Sequence, residues 1–411
     1  MDKKVFRLFK VPFIILTSGM LLFAAAFFAA RELSGGFIYL FFLPGIFVFL
    51  AGYFHLIFYF IRILKPGDEY RVVSILKDSK ELKNAPRVVV IGGGTGLSVL
   101  LRGLKKLTDN ITAIVTVTDD GASSGRLVRD FDILPPGDIR NCLVSLASAE
   151  PLMTELFQYR FGGSGDLGGH NFGNLFITAL KGLTGDFERA IIESSRVLAI
   201  KGKVLPASLS PVTLGAVFED GGTLGGESAI TASGRKIKRV FLTPGDAGTT
   251  KNVIESIEKS DIIILGPGSL YTSIIPNLLI NDLRRAVKSS SSRKVYICNV
   301  MTQRGETGGY KLSDHVRAVY EHCGPGVIDF VLVYTGLADA GLAEKYRLEG
   351  SEQVVLDIEK IREFGVKIIP GRILSADGFL RHDPDKLAAA IRDNFFYAKE
   401  DNFDRHNCSM S

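Results

Sequence analysis

Four glycines in five residues, Gly92-Gly93-Gly94-Thr95-Gly96, stand between the apolar run Val88-Val89-Val90-Ile91 and a helical pattern opening with Leu97-Ser98-Val99-Leu100-Leu101. Strand, glycine turn and helix in that order make an anion site. Glycine permits positive φ and close backbone approach, and the helix start presents unpaired N–H groups with the positive end of its dipole. Such a turn can also serve packing alone, but so many glycines favour a bound phosphate. The stretch Gly266-Pro267-Gly268-Ser269-Leu270-Tyr271-Thr272-Ser273 repeats the logic, with backbone exposed by Gly266 and Gly268 and hydroxyls such as Ser269 able to donate. Between them lies Thr118-Asp119-Asp120-Gly121-Ala122-Ser123-Ser124-Gly125-Arg126. Asp119 or Asp120 could accept from a ribose or hold Mg²⁺, and Ser123 and Ser124 could join a second anion nest. Asp-Asp-Gly is equally an ordinary turn. Asn299 to Gln303 adds neutral amides, and in His170-Asn171-Phe172-Gly173-Asn174 the side chain of Asn174 is placed to cap a helix over 175–180. His170 has no second ligand at a metal spacing and reads as an orienting or packed histidine.

These loops need rigid strands behind them. Short, wholly apolar runs mark strands covered on both faces: 88–91, 111–117, 238–242, 262–265, 294–298, 330–333 and 366–369. Helical patterns separate most of them, so the fold class is α/β, a Rossmann-like, doubly wound and mostly parallel sheet with ligands at the carboxyl ends of the strands. Residues 201–234 alternate polar and apolar positions, contain Asp220-Gly221 and Gly225-Gly226, and show no helical period. They predict an inserted antiparallel β region.

The 411 residues exceed one ordinary compact domain. Two apolar runs open the chain, 11–30 without charge and 37–61 with only His55 titratable, each near the ~20 residues that cross a bilayer. Lys3, Lys4, Arg7 and Lys10 precede the pair, and Arg62, Lys65 and Arg71 follow it. Two transmembrane helices forming a hairpin with both ends cytoplasmic fit that pattern, so the protein is expected in the cell membrane; a cleaved signal peptide over the first run is the rival reading. The division is then a hairpin over 1–65, a linker over 66–86, a nucleotide-binding domain over 87–395 and a polar tail over 396–411. Cys142, Cys298, Cys323 and Cys408 follow neither a zinc nor a disulfide spacing. A net charge of +5 implies no nucleic-acid surface. The dinucleotide fingerprint fails: its third glycine falls at Leu97 or Val99.

The two glycine loops, the Asp119 to Gly125 loop and Pro135-Pro136-Gly137-Asp138-Ile139-Arg140-Asn141 together resemble the gluconeogenesis-factor family, known as YvcK, within the 2-phospho-L-lactate transferase-like (CofD-like) group. The match runs from about Arg87 to about Asn394, and the membrane hairpin lies outside it. The resemblance implies binding of a UDP-sugar, notably UDP-N-acetylglucosamine, and control of cell shape, peptidoglycan precursor supply and gluconeogenic growth. It implies no required cofactor. It implies UDP-sugar contacts at Tyr346 and Arg381, where a tyrosine could stack on uracil or sugar and an arginine fork onto pyrophosphate. A partner enzyme of amino-sugar or peptidoglycan synthesis and a homo-oligomer are compatible with it. The transferase branch moves a phospholactyl group from a guanosine diphosphate carrier, but Pro135 to Asn141 reads like the regulator branch, so a non-catalytic nucleotide-sugar-binding regulator is expected.

Overall fold

The structure is a computed structural model that describes residues 44, 46–51, 53, 54, 57, 82–148, 151–375 and 380–396. The chain forms two compact units, Met1–Lys80 and Glu81–Ser411. In the first, the described positions are helical. Apart from them, the two-helix hairpin, most of the linker and the tail beyond 396 lie outside the described residues, among which no helix is long and apolar enough to cross a membrane.

The second unit is built on a seven-stranded sheet in the order β10-β9-β8-β7-β1-β2-β3, with every pairing parallel. Its strands are β1 (Val88–Gly92), β2 (Ile111–Val115), β3 (Lys203–Pro206), β7 (Ile262–Leu265), β8 (Arg293–Ile297), β9 (Phe330–Tyr334) and β10 (Lys367–Gly371). The intervening β4 (Thr213–Phe218), β5 (Thr223–Gly225) and β6 (Ile237–Thr243) make a separate antiparallel sheet. Alternate residues of each central strand enter opposite cores. Val89, Ile91, Ile263 and Leu265 pack on one face, and Val88, Val90, Ile262 and Ile264 on the other. That double burial is why these strands read as unbroken apolar runs.

From β1 the chain winds outward through β2 to β3, then returns to β7 and winds the other way. The switch point is therefore the β1/β7 boundary, where open α/β sheets place their ligands. The helices that bear on it are α1 (Gly94–Leu104), α2 (Ala122–Phe131), α3 (Gly137–Leu146), α4 (Phe172–Thr184), α5 (Glu227–Ser233), α6 (Leu312–Cys323), α7 (Ala340–Leu348) and α8 (Pro384–Ile391).

Four expectations need correction. The run 238–242 is not a core strand: it is β6 of the small sheet, half-solvated, with Lys238 and Arg239 exposed and Val240 and Leu242 buried. Residues 203–206, placed in the antiparallel insertion, form the parallel edge strand β3, whose four residues are too few to show a period. The same insertion contains a helix, α5, only seven residues long. Finally, α4 starts at Phe172, and its cap is Asn171, whose Oδ1 accepts the Asn174 N–H at 3.3 Å.

Candidate functional site

The two glycine loops meet at the switch point, after β1 and after β7. Glycine is required at two places there. A Cβ on Gly96 would stand 2.5 Å from the carbonyl oxygen of Pro267, so α1 packs its first turn directly on the second loop. Gly94 has φ +65°, and its N–H donates to Asp138 Oδ2 at 2.7 Å. The second loop is stiffened from below. The buried Glu306 accepts from the Tyr271 N–H and from Thr272 Oγ1, each at 3.2 Å. Burial pushes its carboxyl pKa up, and those donors pull it back down. Glu306→Ala should leave a buried N–H and hydroxyl unpaired, costing about 1–3 kcal/mol for each group. A lower melting temperature together with weaker ligand binding is the expected result, and an unchanged melting temperature would remove Glu306 from this role.

A cavity of about 410 Å³ opens above the two loops. Its floor is Gly93, Gly94, Thr95 and Gly96 on one side and Gly268 and Ser269 on the other. Asn299 donates to the Gly268 carbonyl at 2.9 Å and to Gln303 Oε1 at 3.3 Å, while Gln303 Nε2 donates to Ser269 Oγ at 2.8 Å. The amides thus tie the β8 loop to the second glycine loop. Tyr346 of α7 and Arg381, just before α8, complete the wall. No residue of α7 is buried; Ala338, Leu342 and Tyr346 rest on a small cluster of Val300, Met301 and Leu380. Gly92 ends β1 and Gly266 directly follows β7, and neither is in the lining of the cavity.

Asp119, Asp120, Ser123, Ser124 and Asn174 do not line this cavity. Asp119 Oδ1 accepts the Gly121 N–H at 2.9 Å, and Asp120 Oδ1 accepts the Ser228 N–H at 2.8 Å, fastening the start of α5. Ser124 is buried beside Gly137, where a Cβ would meet its hydroxyl. Ser123 Oγ takes the Asn171 N–H at 3.3 Å and Asn174 Nδ2 at 3.1 Å, and stands 3.4 Å from His170 Nδ1. Arg140 Nη1 donates to Asn174 Oδ1 at 3.2 Å. This network locks α2, α3 and α4 together behind the first loop. His170 is accordingly a packed, orienting histidine.

Three carboxyl groups gather on that side: Asp119, Asp138 and Glu227. Burial, then the charge of Asp119, raises Asp138 to about 6 against the pull of the Gly94 N–H. Burial, then Asp138 and Asp119, raises Glu227 to about 9, so it is protonated at neutral pH while Thr118 Oγ1 donates to it at 3.2 Å. Among the described residues no His, Cys, Asp and Glu side chains are grouped as a metal ion requires. Asp138, Glu227 and Glu306 were absent from the candidates read from the sequence. Asp138 lies within the Pro135 to Asn141 motif and could have been found there; the other two carry no local signal. A larger cleft, about 830 Å³, lies by the amino ends of β1 to β3, the wrong end of a parallel sheet for a ligand.

Comparison with known proteins places these features in a family. Residues 88–374 match the family model of the 2-phospho-L-lactate transferase CofD. The gluconeogenesis factor of Halalkalibacterium halodurans is 52% identical over 305 residues, 74% of this chain and 95% of that one. The gluconeogenesis factor of Bacillus subtilis is 48% identical over 309 residues, 75% of this chain and 98% of that one. A crystal structure of a upf0052 family member from Bacillus halodurans superposes with a TM-score of 0.72 at 51% identity, covering 74% of this chain and 98% of that one.

Proposed function

Because the chain belongs to the CofD family, with gluconeogenesis factors among its relatives at about half identity, we propose that it is a regulatory protein that binds a UDP-sugar, UDP-N-acetylglucosamine or a close relative. The observation that carries this reading is the convergence of both glycine loops, Tyr346 and Arg381 on one cavity at the switch point. Backbone N–H groups at the start of α1 and the Arg381 guanidinium take the pyrophosphate, and the Tyr346 ring takes a flat or apolar face of the ligand. The bound protein then acts on an enzyme of amino-sugar or peptidoglycan synthesis, supporting cell shape and precursor supply during gluconeogenic growth. The apolar runs 11–30 and 37–61 tether it to the membrane, with the nucleotide domain in the cytoplasm.

Thermal-shift titration against UDP-N-acetylglucosamine, GDP and NAD, with and without Mg²⁺, tests the reading. A ligand at a hundred times its Kd stabilises the fold by roughly 2.7 kcal/mol. A shift with the UDP-sugar alone supports it, and a shift confined to GDP with Mg²⁺ overturns it. Arg381→Ala should weaken UDP-sugar binding by about 1.5–3 kcal/mol in calorimetry, the worth of a charge-assisted hydrogen bond. Unchanged affinity would remove Arg381 from the site. The family model is compatible with a second reading, phospholactyl-type transfer from a nucleoside diphosphate carrier. Turnover with a deazaflavin acceptor would establish that reading in place of the first.

A further inference from the structure

His382 lines the same cavity, between Arg381 and Asp383. Its backbone is held from both sides. Asp383 caps α8, Oδ1 accepting the N–H groups of Asp385 and Lys386 at 2.9 Å each. On the other side Leu374 bridges to His382, and the Ser375 N–H donates to the Arg381 carbonyl at 2.9 Å. The imidazole itself is unsatisfied: Nδ1 and Nε2 are both closed off from solvent, and neither has a hydrogen-bond partner. Each of the other described histidines engages at least one ring nitrogen, and only His315 Nε2 among their nitrogens is also buried without a partner. His170 Nδ1 stands near Ser123, His315 Nδ1 is 3.1 Å from the Tyr296 hydroxyl, and His322 uses both nitrogens, on the Val240 N–H and the Ala318 carbonyl. A buried polar ring without partners destabilises a fold, so its place on the wall of a ligand cavity calls for a partner from outside the chain.

Burial holds the ring neutral at physiological pH, its pKa drawn down to about 4. A neutral imidazole carries one donor and one acceptor. Phosphate oxygens only accept and are best met by cations, whereas a hydroxyl both donates and accepts and so matches the ring at either nitrogen. The torsion about Cβ–Cγ is broad, so the ring can turn without leaving an allowed conformation.

We propose that His382 is the residue that recognises the sugar of the bound nucleotide sugar, turning its ring to hydrogen-bond a sugar hydroxyl beside the diphosphate held by Arg381. The inference rests on the UDP-sugar reading and names its sugar contact. The test is calorimetric titration of the full chain and of His382→Phe with UDP-N-acetylglucosamine and with UDP. Phenylalanine keeps the ring and removes both unpaired nitrogens, so the ligand-free protein should melt at the same temperature or higher. Affinity for the UDP-sugar should fall tenfold or more while affinity for UDP holds. Unchanged affinity for the UDP-sugar, or equal losses for both ligands, overturns the assignment. His382→Asn, which retains a donor and an acceptor, should recover part of the lost affinity and serves alone if the phenylalanine variant does not fold; full loss with asparagine would also count against a hydrogen-bonding role. A wild-type chain that binds neither ligand overturns the UDP-sugar reading itself, a result distinct from either failure above.

Discussion

A Gly96→Val protein is expected to lose measurable binding of any phosphate-bearing ligand and to unfold at a markedly lower temperature. The added Cβ would lie 2.5 Å from the Pro267 oxygen, 2.8 Å from its carbonyl carbon and 3.1 Å from the Gly268 Cα. All three are backbone atoms, so no side chain can swing aside, and either α1 or the second loop must move. Overpacking of this kind costs about 1–3 kcal/mol, and more when backbone must shift. The movement also separates the two halves of the cavity floor. Gly94→Val should be milder for the fold: its Cβ would meet only Ser273 Oγ, at 3.6 Å, and the cost is the φ of +65°, about 1–2 kcal/mol. Gly182→Ala, in α4 with open space around it, is the control and should be neutral or slightly stabilising. Calorimetric binding and thermal melts of the three variants rank the effects. Wild-type affinity in Gly96→Val would move the ligand away from this cavity.

The contrast between these glycines shows what was legible in the chain. The loops could be read because strand, turn and helix start are contiguous, and the strands behind them because burial on both faces removes every polar position. What failed was short or composite. The four residues of β3 are recognised only by their pairing with β2, and β6 looked like core because Val240, Phe241 and Leu242 outweighed its two charges. At the site, the residues missed act through distant partners: Asp138 on Gly94 across 44 positions, Glu306 on Tyr271 across 35, and Glu227 on Thr118 across 109. The Asp119 loop depends on distant partners in the same way. Its carboxylates carry the composition of a ligand site, but their nearest donors are the N–H groups of Gly121 and of Ser228, on α5, whose approach no local pattern announces.

Glu227 gives the second large effect, and it depends on pH. The unfolded chain ionises this carboxyl near its ordinary 4.5, whereas the fold keeps it protonated up to about 9. The folded pKa is the higher one, so the contribution to stability is present in full below about 4.5 and is lost progressively as pH rises towards 9, at about 1.4 kcal/mol per pH unit. Asp138 adds a smaller loss of the same sign between 3.8 and about 6. The buried histidines work the other way. His315 and His382 titrate at about 4 in the fold, below their ordinary 6.5, so stability falls as pH drops through that interval. Glu227→Gln keeps the shape and an acceptor for Thr118 Oγ1 but cannot ionise. It should exceed the wild type in urea unfolding by about 1 kcal/mol or less at pH 5 and by several kcal/mol at pH 8. A difference that is the same at both pH values would mean that Glu227 is ionised in the fold, and that the carboxyl cluster behind the first glycine loop carries one more negative charge than burial permits.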